Sequence, residues 1–291
     1  MVPIKLMSFN MKRNYFHFGQ HCWEKRAGLV ARLVRDTAPD IIGTQELTVA
    51  SLSDLLRLLP EYDYVGEGRG GGQLGEFTAI LFRRDRFLLR ESKTFWLSAT
   101  PEVPSRAWLA IFPRICTKCT LALAANPAVL LRVYNTHLDH ISYFARVNGL
   151  KLIIRTILED QKSLRTPVAF TGDFNATPTS RTLQKWAAEL TASGEQVLLR
   201  DSYNLMVQSS SEGQGPGRSY HGFRGAVGGQ PIDYIFTSKD LNLRALEIRR
   251  EQVEDAFPSD HYPIIAQLEL EDGSSHSGEL CHGNDTTSDP L

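Results

Sequence analysis

No run of apolar residues in this chain is long enough to span a bilayer, so a membrane-crossing helix is not expected. The opening MVPIKLMSFNMK lacks the apolar core of a signal peptide, and the protein is expected in the cytoplasm. Charge of one sign is missing too. With 32 Lys+Arg against 33 Asp+Glu the formal net charge is −1, so any polyanion site must be local. Basic residues gather only in small groups, Arg83-Arg84 and Arg249-Arg250, without the stripe that gripping a long polyanion requires. Cysteine is scarce: Cys22 and Cys281 stand alone, and Cys116 with Cys119 forms one CTKC. A single C-x-x-C away from a strand-to-helix turn is read as two thiols packed in or beside a strand. H-E-x-x-H and G-x-S-x-G are both absent, which argues against a zinc peptidase and a serine hydrolase of those designs.

What is present suffices for one large domain: 291 residues, 42% of them hydrophobic. IKLMSFNMK alternates apolar and polar residues as a half-buried strand does. Leu29, Val30, Leu33 and Val34 recur at helical spacing before APD and the apolar strand IIGTQE, and a second helix over VASLSDLLRLLP stops at Pro60. The middle is richer in strands, and the glycines from Gly70 to Gly75 lack the P-loop pattern and are expected at a flexible hairpin tip. Further strands end in NTHLDH and GDFN. Helices are expected over RVNGLKLIIRTILEDQK and SRTLQKWAAELTA, and three strands, IDYIFTS, LRALEIRRE and YPIIAQLEL, close an α/β fold. Residues 1–271 read as one domain and 272–291, poor in apolar residues, as a disordered polar tail.

The informative pattern is positional. Asn10, Glu46, His137, Asp173 with Asn175, and Asp260 with His261 all lie at or just beyond the end of an apolar strand. Each alone has a plain structural reading. Together they make costly company to bury unless they serve one another or a bound ion. Carboxylates and amide oxygens without clustered cysteines suit a hard cation, Mg²⁺ or Mn²⁺. Histidines beside carboxylates suit proton transfer or stabilisation of charge on phosphate oxygens. In GDFN one residue separates Asp173 from Asn175, so an extended backbone would point both to one side.

SFN at Asn10, TQE at Glu46, NTHLDH at His137, GDFN, IDYIF at Asp233 and SDHYPI, in order from residue 5 to about 270, resemble the endonuclease/exonuclease/phosphatase superfamily. FWLS, AWLAIFPR, NTHLDHIS and YHGF are similar to a bacterial-type branch with kinship to nocturnin and the deadenylases. The resemblance implies a four-layer α/β sandwich like that of pancreatic deoxyribonuclease, two packed mixed β-sheets flanked by helices. It implies a Mg²⁺-dependent (or Mn²⁺-dependent) phosphoesterase in which water attacks a phosphodiester directly. Glu46, assisted by Asn10 and with Asp260 nearby, would hold the metal. Asp173 would orient and deprotonate the water, Asn175 would hold the water or a phosphate oxygen, and His261, oriented by Asp233, would face the phosphate. His137 held by Glu76 would make a second His–carboxylate pair. Asp233 also reads as a turn aspartate, Arg114 as a phosphate ligand or a salt-bridged strand arginine, and Tyr220 with His221 as substrate-mouth or packing residues. A monomer acting on a nucleotide, an oligonucleotide end or a phospholipid headgroup is expected. The alternatives are a phosphomonoesterase of the inositol phosphatase kind, a sphingomyelinase-like diesterase, or a silent scaffold that would have lost some of these residues.

Overall fold

The computed structural model describes residues 1–14, 19–192, 199–209 and 216–271. The tail expected at 272–291 and Cys281 lie outside them. Two six-stranded mixed sheets form the frame. The first runs in the order β11 (Leu241–Ile248), β12 (Ile264–Leu270), β1 (Val2–Asn10), β2 (Ile41–Gln45), β4 (Ile80–Arg83), β3 (Tyr62–Val65). The second runs β5 (Phe87–Trp96), β6 (Ile115–Leu123), β7 (Leu130–His137), β8 (Val168–Asp173), β10 (Asp233–Thr237), β9 (Arg200–Asp201). In each, one central pair is parallel, β1 with β2 and β7 with β8, and every other pairing is antiparallel.

The parallel pairs are joined through helices, as parallel strands require. α1 (Trp23–Thr37) links β1 to β2, and α3 (Tyr143–Ser163) links β7 to β8. α2 (Val49–Leu58) ends two residues before Pro60, because the residue preceding a proline is driven out of the helical region. Its first turn is closed by a capping box between Thr48 and Ser51. α4 (Arg181–Ala192) and α5 (Ser202–Ser209) follow β8 and β9. Alternation along the strands sorts two cores. Met7 and Phe9 pack with Val30, Val34, Leu52 and Leu55 of α1 and α2. Ile4 and Leu6 belong to the core shared with the second sheet, where Phe170, Phe174 and Phe236 crowd Trp186 of α4. This is the four-layer sandwich implied by the resemblance. No helix among the described residues is long and apolar enough to cross a membrane.

Between the sheets the backbone comes close and polar groups are paired. Asn135 of β7 donates to the carbonyls of Thr44 (2.7 Å) and Ala79 (3.1 Å) in the first sheet and accepts from Gln45 Nε2 (2.8 Å). Gly43 is required here: a Cβ at that position would lie 2.0 Å from Thr171 Oγ1 and 2.8 Å from Asn135 Oδ1. Cys116 and Cys119 are buried free thiols on β6, matching the strand reading of CTKC. The glycine-rich segment after β3 is not a free hairpin tip. It is wound back on itself by Gly68 N–H to Gly72 O and Gly70 N–H to Leu74 O, both 2.8 Å. β9 and α5 are elements that sequence periodicity leaves unread.

Gly43→Ala is expected to destabilise the protein by about 2–3 kcal/mol, the usual cost of overpacking a filled interface. Urea unfolding of the variant and the parent measures it; equal midpoints would show that the sheets do not approach as described.

Candidate active site

Strand direction explains why the polar residues meet. Parallel β1 and β2, and parallel β7 and β8, end at one rim, whereas antiparallel β10 and β12 begin there. Asn10 pairs in register with Gln45, His137 with Asp173, and Asp173 with Asp233. Period-2 alternation then turns the right side chains inward. Asn10 follows Ile4, Leu6 and Ser8 on β1. His137 follows Asn135 on β7, and Asp173 follows Thr171 on β8. The chain leaves β2 through Glu46 at φ 66°, and Lys12 (57°) and Asn175 (48°) also adopt left-handed backbone. Non-glycine residues held in that region mark strained positions of the kind that cluster at functional sites.

Asn10 Nδ2 donates to Glu46 Oε1 and to Asp173 Oδ2, both at 3.0 Å. Glu46 Oε2 accepts from the Arg13 N–H at 2.8 Å. Asp233 Oδ2 lies 2.9 Å from His261 Nδ1, and His261 Nε2 is 3.8 Å from Asp173 Oδ2. His137 Nε2 is 3.6 Å from the same oxygen. Asp173 Oδ1 accepts the Asn175 N–H at 2.9 Å. GDFN is thus not extended throughout: β8 stops at Asp173, and the aspartate closes its own turn. Asn175 nevertheless lines the cavity beside it. The turn and the site are one structure.

Burial and proximity then set the charges. Burial, followed by repulsion from Asp233 across the strand pair, pushes the Asp173 carboxyl up to about 7, against His261, the Asn175 N–H and the Asn10 amide. Burial disfavours the His261 imidazolium, but Asp233, with Asp173 and Asp260, overcomes this and pushes the ring up to about 10. Burial, then the Arg114 guanidinium, holds His137 well below the ordinary histidine range, so it is neutral. Glu46 is also desolvated, yet His137, Lys12, the Arg13 N–H and the Asn10 amide keep it below the usual carboxylate range. With His137 neutral, the Lys12 ammonium is the effective cation in that group. An acid–base pair with its two proton affinities driven apart is the arrangement that proton-transfer chemistry uses.

These groups line a cavity of about 260 Å³ shared by Lys12, Glu46, Arg69, Glu76, Phe112, Arg114, His137, His140, Asn175, Asp173, Tyr220, Ile232, Asp260 and His261. Asp173, Asp233 and His261 lie close enough to surround an ion. Their mutual hydrogen bond and ion pairing already neutralise them, with the protonated His261 as the cation. Glu46 and Asp260 line the same cavity. Lys12 Nζ sits 3.1 Å from Asp260 Oδ2, and its charge favours ionised Glu46. The all-oxygen donors of these two carboxylates suit a hard divalent cation. Asn10, the third expected ligand, presents its nitrogen to Glu46 and Asp173, while its oxygen accepts the Lys12 N–H at 3.0 Å.

Two expectations change. Glu76 does not hold His137: its oxygens bind Arg13 Nη1 (2.9 Å) and Arg69 Nη1 (2.8 Å), because the wound loop delivers Arg69 first. His221 is buried and stacked on Tyr262 with ring centroids 3.9 Å apart, so it packs rather than lining the mouth. Its N–H donates to the Asp260 carbonyl at 2.8 Å, which positions the SDH segment. Arg114 pairs with Asp139 and also lines the cavity. Tyr220 does line it, its ring 5.0 Å from that of His261. Lys12, Arg69, Phe112 and His140 were not singled out from the sequence. Arg69 is the only cation in GEGRGGGQLGEF, and Lys12 stands two residues beyond Asn10; those were the available signals.

The profile of the Endonuclease/Exonuclease/phosphatase family matches residues 7–261. Among solved structures, an endonuclease/exonuclease/phosphatase family protein from Bacteroides thetaiotaomicron is 28% identical, with a TM-score of 0.81 covering 93% of this chain and 96% of that one. The mannosyl-6-phosphatase of the same organism is 28% identical, with a TM-score of 0.80 over 92% of this chain and 100% of that one. The human nocturnin catalytic domain shares the fold at 21% identity, with a TM-score of 0.69 over 92% and 95% of the two chains.

The raised Asp173 carboxyl has a consequence for stability. A carboxyl that binds its proton more tightly when folded contributes least once ionised, so stability falls as pH rises from about 4 to about 7. With a chelator present, Asp173→Asn is expected to gain ~1–2 kcal/mol over the parent at pH 8, roughly 2–8 °C in Tm, and nothing at pH 4. Thermal unfolding across that range checks this. A variant less stable than the parent at pH 8 would contradict the charge assignment.

Proposed function

We propose, from the premise that this chain belongs to the endonuclease/exonuclease/phosphatase family, that it hydrolyses a compact phosphate ester by direct attack of water. The observation that carries the reading is the pair His261 and Asp173 on the wall of a cavity that Glu46 and Asp260 also line, with Asp233 bonded to His261 Nδ1. A hard divalent cation, Mg²⁺ or Mn²⁺, held by Glu46 and Asp260 would supply Lewis-acid stabilisation to a phosphate oxygen. All remaining steps belong to side chains of this protein. Asp173, with its proton affinity raised toward neutrality, accepts the proton of the attacking water. Asn175 holds that water or the oxygen beside it. His261, protonated and fixed by Asp233, donates from Nε2 to a phosphate oxygen as negative charge builds up there. A fixed donor of this kind is worth ~3–4 kcal/mol of barrier.

The small cavity and the absence of a basic stripe support a compact ester over duplex nucleic acid. A phosphodiester, in a nucleotide or an oligonucleotide end, is our first reading of the bond. A phosphomonoester is the second. It is supported by the likeness to the mannosyl-6-phosphatase and by Lys12, whose charge suits a phosphate dianion. We place the protein in the cytoplasm as a monomer, in keeping with its buried free thiols.

In a panel of a bis-phosphodiester, a phosphomonoester, short DNA and RNA, and sphingomyelin, hydrolysis is expected with Mg²⁺ and lost in EDTA. Asp173→Ala should lower kcat by ~10³-fold, within the range for loss of a general base. Turnover that persists in EDTA, or that survives Asp173→Ala unchanged, would overturn the proposal.

A further inference from the structure

The hydrolytic centre leaves part of its cavity unexplained. Arg114 enters β6, the second strand outward from β8, and its side chain is only 6% exposed. Its Nε donates to Asp139 Oδ2 at 3.4 Å and its Nη2 to His140 Nδ1 at 2.9 Å. Nη1 has no partner among the described residues, although the guanidinium lines the cavity. Nη1 is not among the enclosed atoms, so it is a donor that an acceptor in the cavity can use. Because arginine can only donate, His140 Nδ1 must accept, and the proton is fixed on Nε2 of that exposed ring. Arg69 adds a second guanidinium, side chain 10% exposed, lying 4.6 Å over the ring of Phe112. Arg69, Arg114 and His137 also line one small adjoining recess.

On the proposed hydrolytic reading the reacting phosphate already has His261, Asn175 and the Glu46 side of the cavity. Two strand spacings separate the entry of β6 from the end of β8, roughly 10 Å of backbone. We propose that Arg114, His140 and Arg69 form a second anion subsite in this cavity, and that the substrate is a phosphate ester carrying a second phosphate group. The proposal rests on the hydrolytic reading of the neighbouring centre. The planar fork of arginine matches phosphate oxygens. The exposed Phe112 offers an apolar surface to the skeleton that joins the two phosphates.

The test compares glucose 1,6-bisphosphate with glucose 6-phosphate under Mg²⁺. The expected kcat/KM favours the bisphosphate by at least about tenfold, the worth of one charge-assisted hydrogen bond. His140→Ala and Arg114→Lys should each bring the ratio toward one, an effect that a merely structural role would not produce. A parent ratio at or below one, or an unchanged ratio in His140→Ala, overturns the subsite. Equal losses on both substrates also overturn it, by assigning these residues to the reacting phosphate. Calorimetric binding of the same two sugars to Asp173→Asn separates the two proposals. If the parent turns over neither sugar, tighter bisphosphate binding that is lost in Asp173→Asn/His140→Ala keeps the subsite and retires the hydrolytic reading for these esters. Equal binding of the two sugars overturns the subsite.

Discussion

The Asn10 amide joins the two sheets at the rim where chemistry is possible. Its nitrogen donates to Glu46 from its own sheet and to Asp173 from the opposite one. Without a donor between them, two buried carboxylates would repel each other and spread the strand ends. Asn10 is fully buried, and Ser259 Oγ donates to its carbonyl at 2.6 Å, so the clamp also fixes the segment that carries Asp260 and His261. The close approach at Gly43 and the Asn135 bonds one layer deeper give the clamp a rigid floor.

On that floor the electrostatics follow from position. Asp173 and Asp233 face each other in register, so one carboxylate must be relieved. His261 relieves it by becoming a cation bonded to Asp233, and Asp173 is left with a raised affinity for protons. The protein spends stability on this crowding, as functional sites do, and keeps the crowded groups on strand ends rather than on free loops.

Much of this was legible in the sequence, for a physical reason. Alternation and apolar runs report burial, and a polar residue that ends such a run announces a rim. Asn10, Glu46, His137, Asp173 and His261 were visible in that way, and strand direction does the rest. What stayed hidden depends on contacts between distant segments. Glu76 was paired with His137 by analogy, but a glycine-rich loop can wind tightly enough to insert Arg69 instead. His221 looked like a mouth residue because it neighbours Tyr220, yet consecutive residues face opposite ways, and it stacks inward on Tyr262. β9 is two residues long and carries no periodicity to read.

The central claim is that water, positioned by Asp173, attacks phosphorus directly, with no side chain forming a bond to it. The stereochemical course at phosphorus tests this most directly. A substrate whose phosphoryl group is made chiral with oxygen isotopes is hydrolysed, and the configuration of the released phosphate is determined. A single in-line displacement by water predicts inversion. Retention, the outcome of two displacements through a covalent phosphoenzyme, would contradict the account.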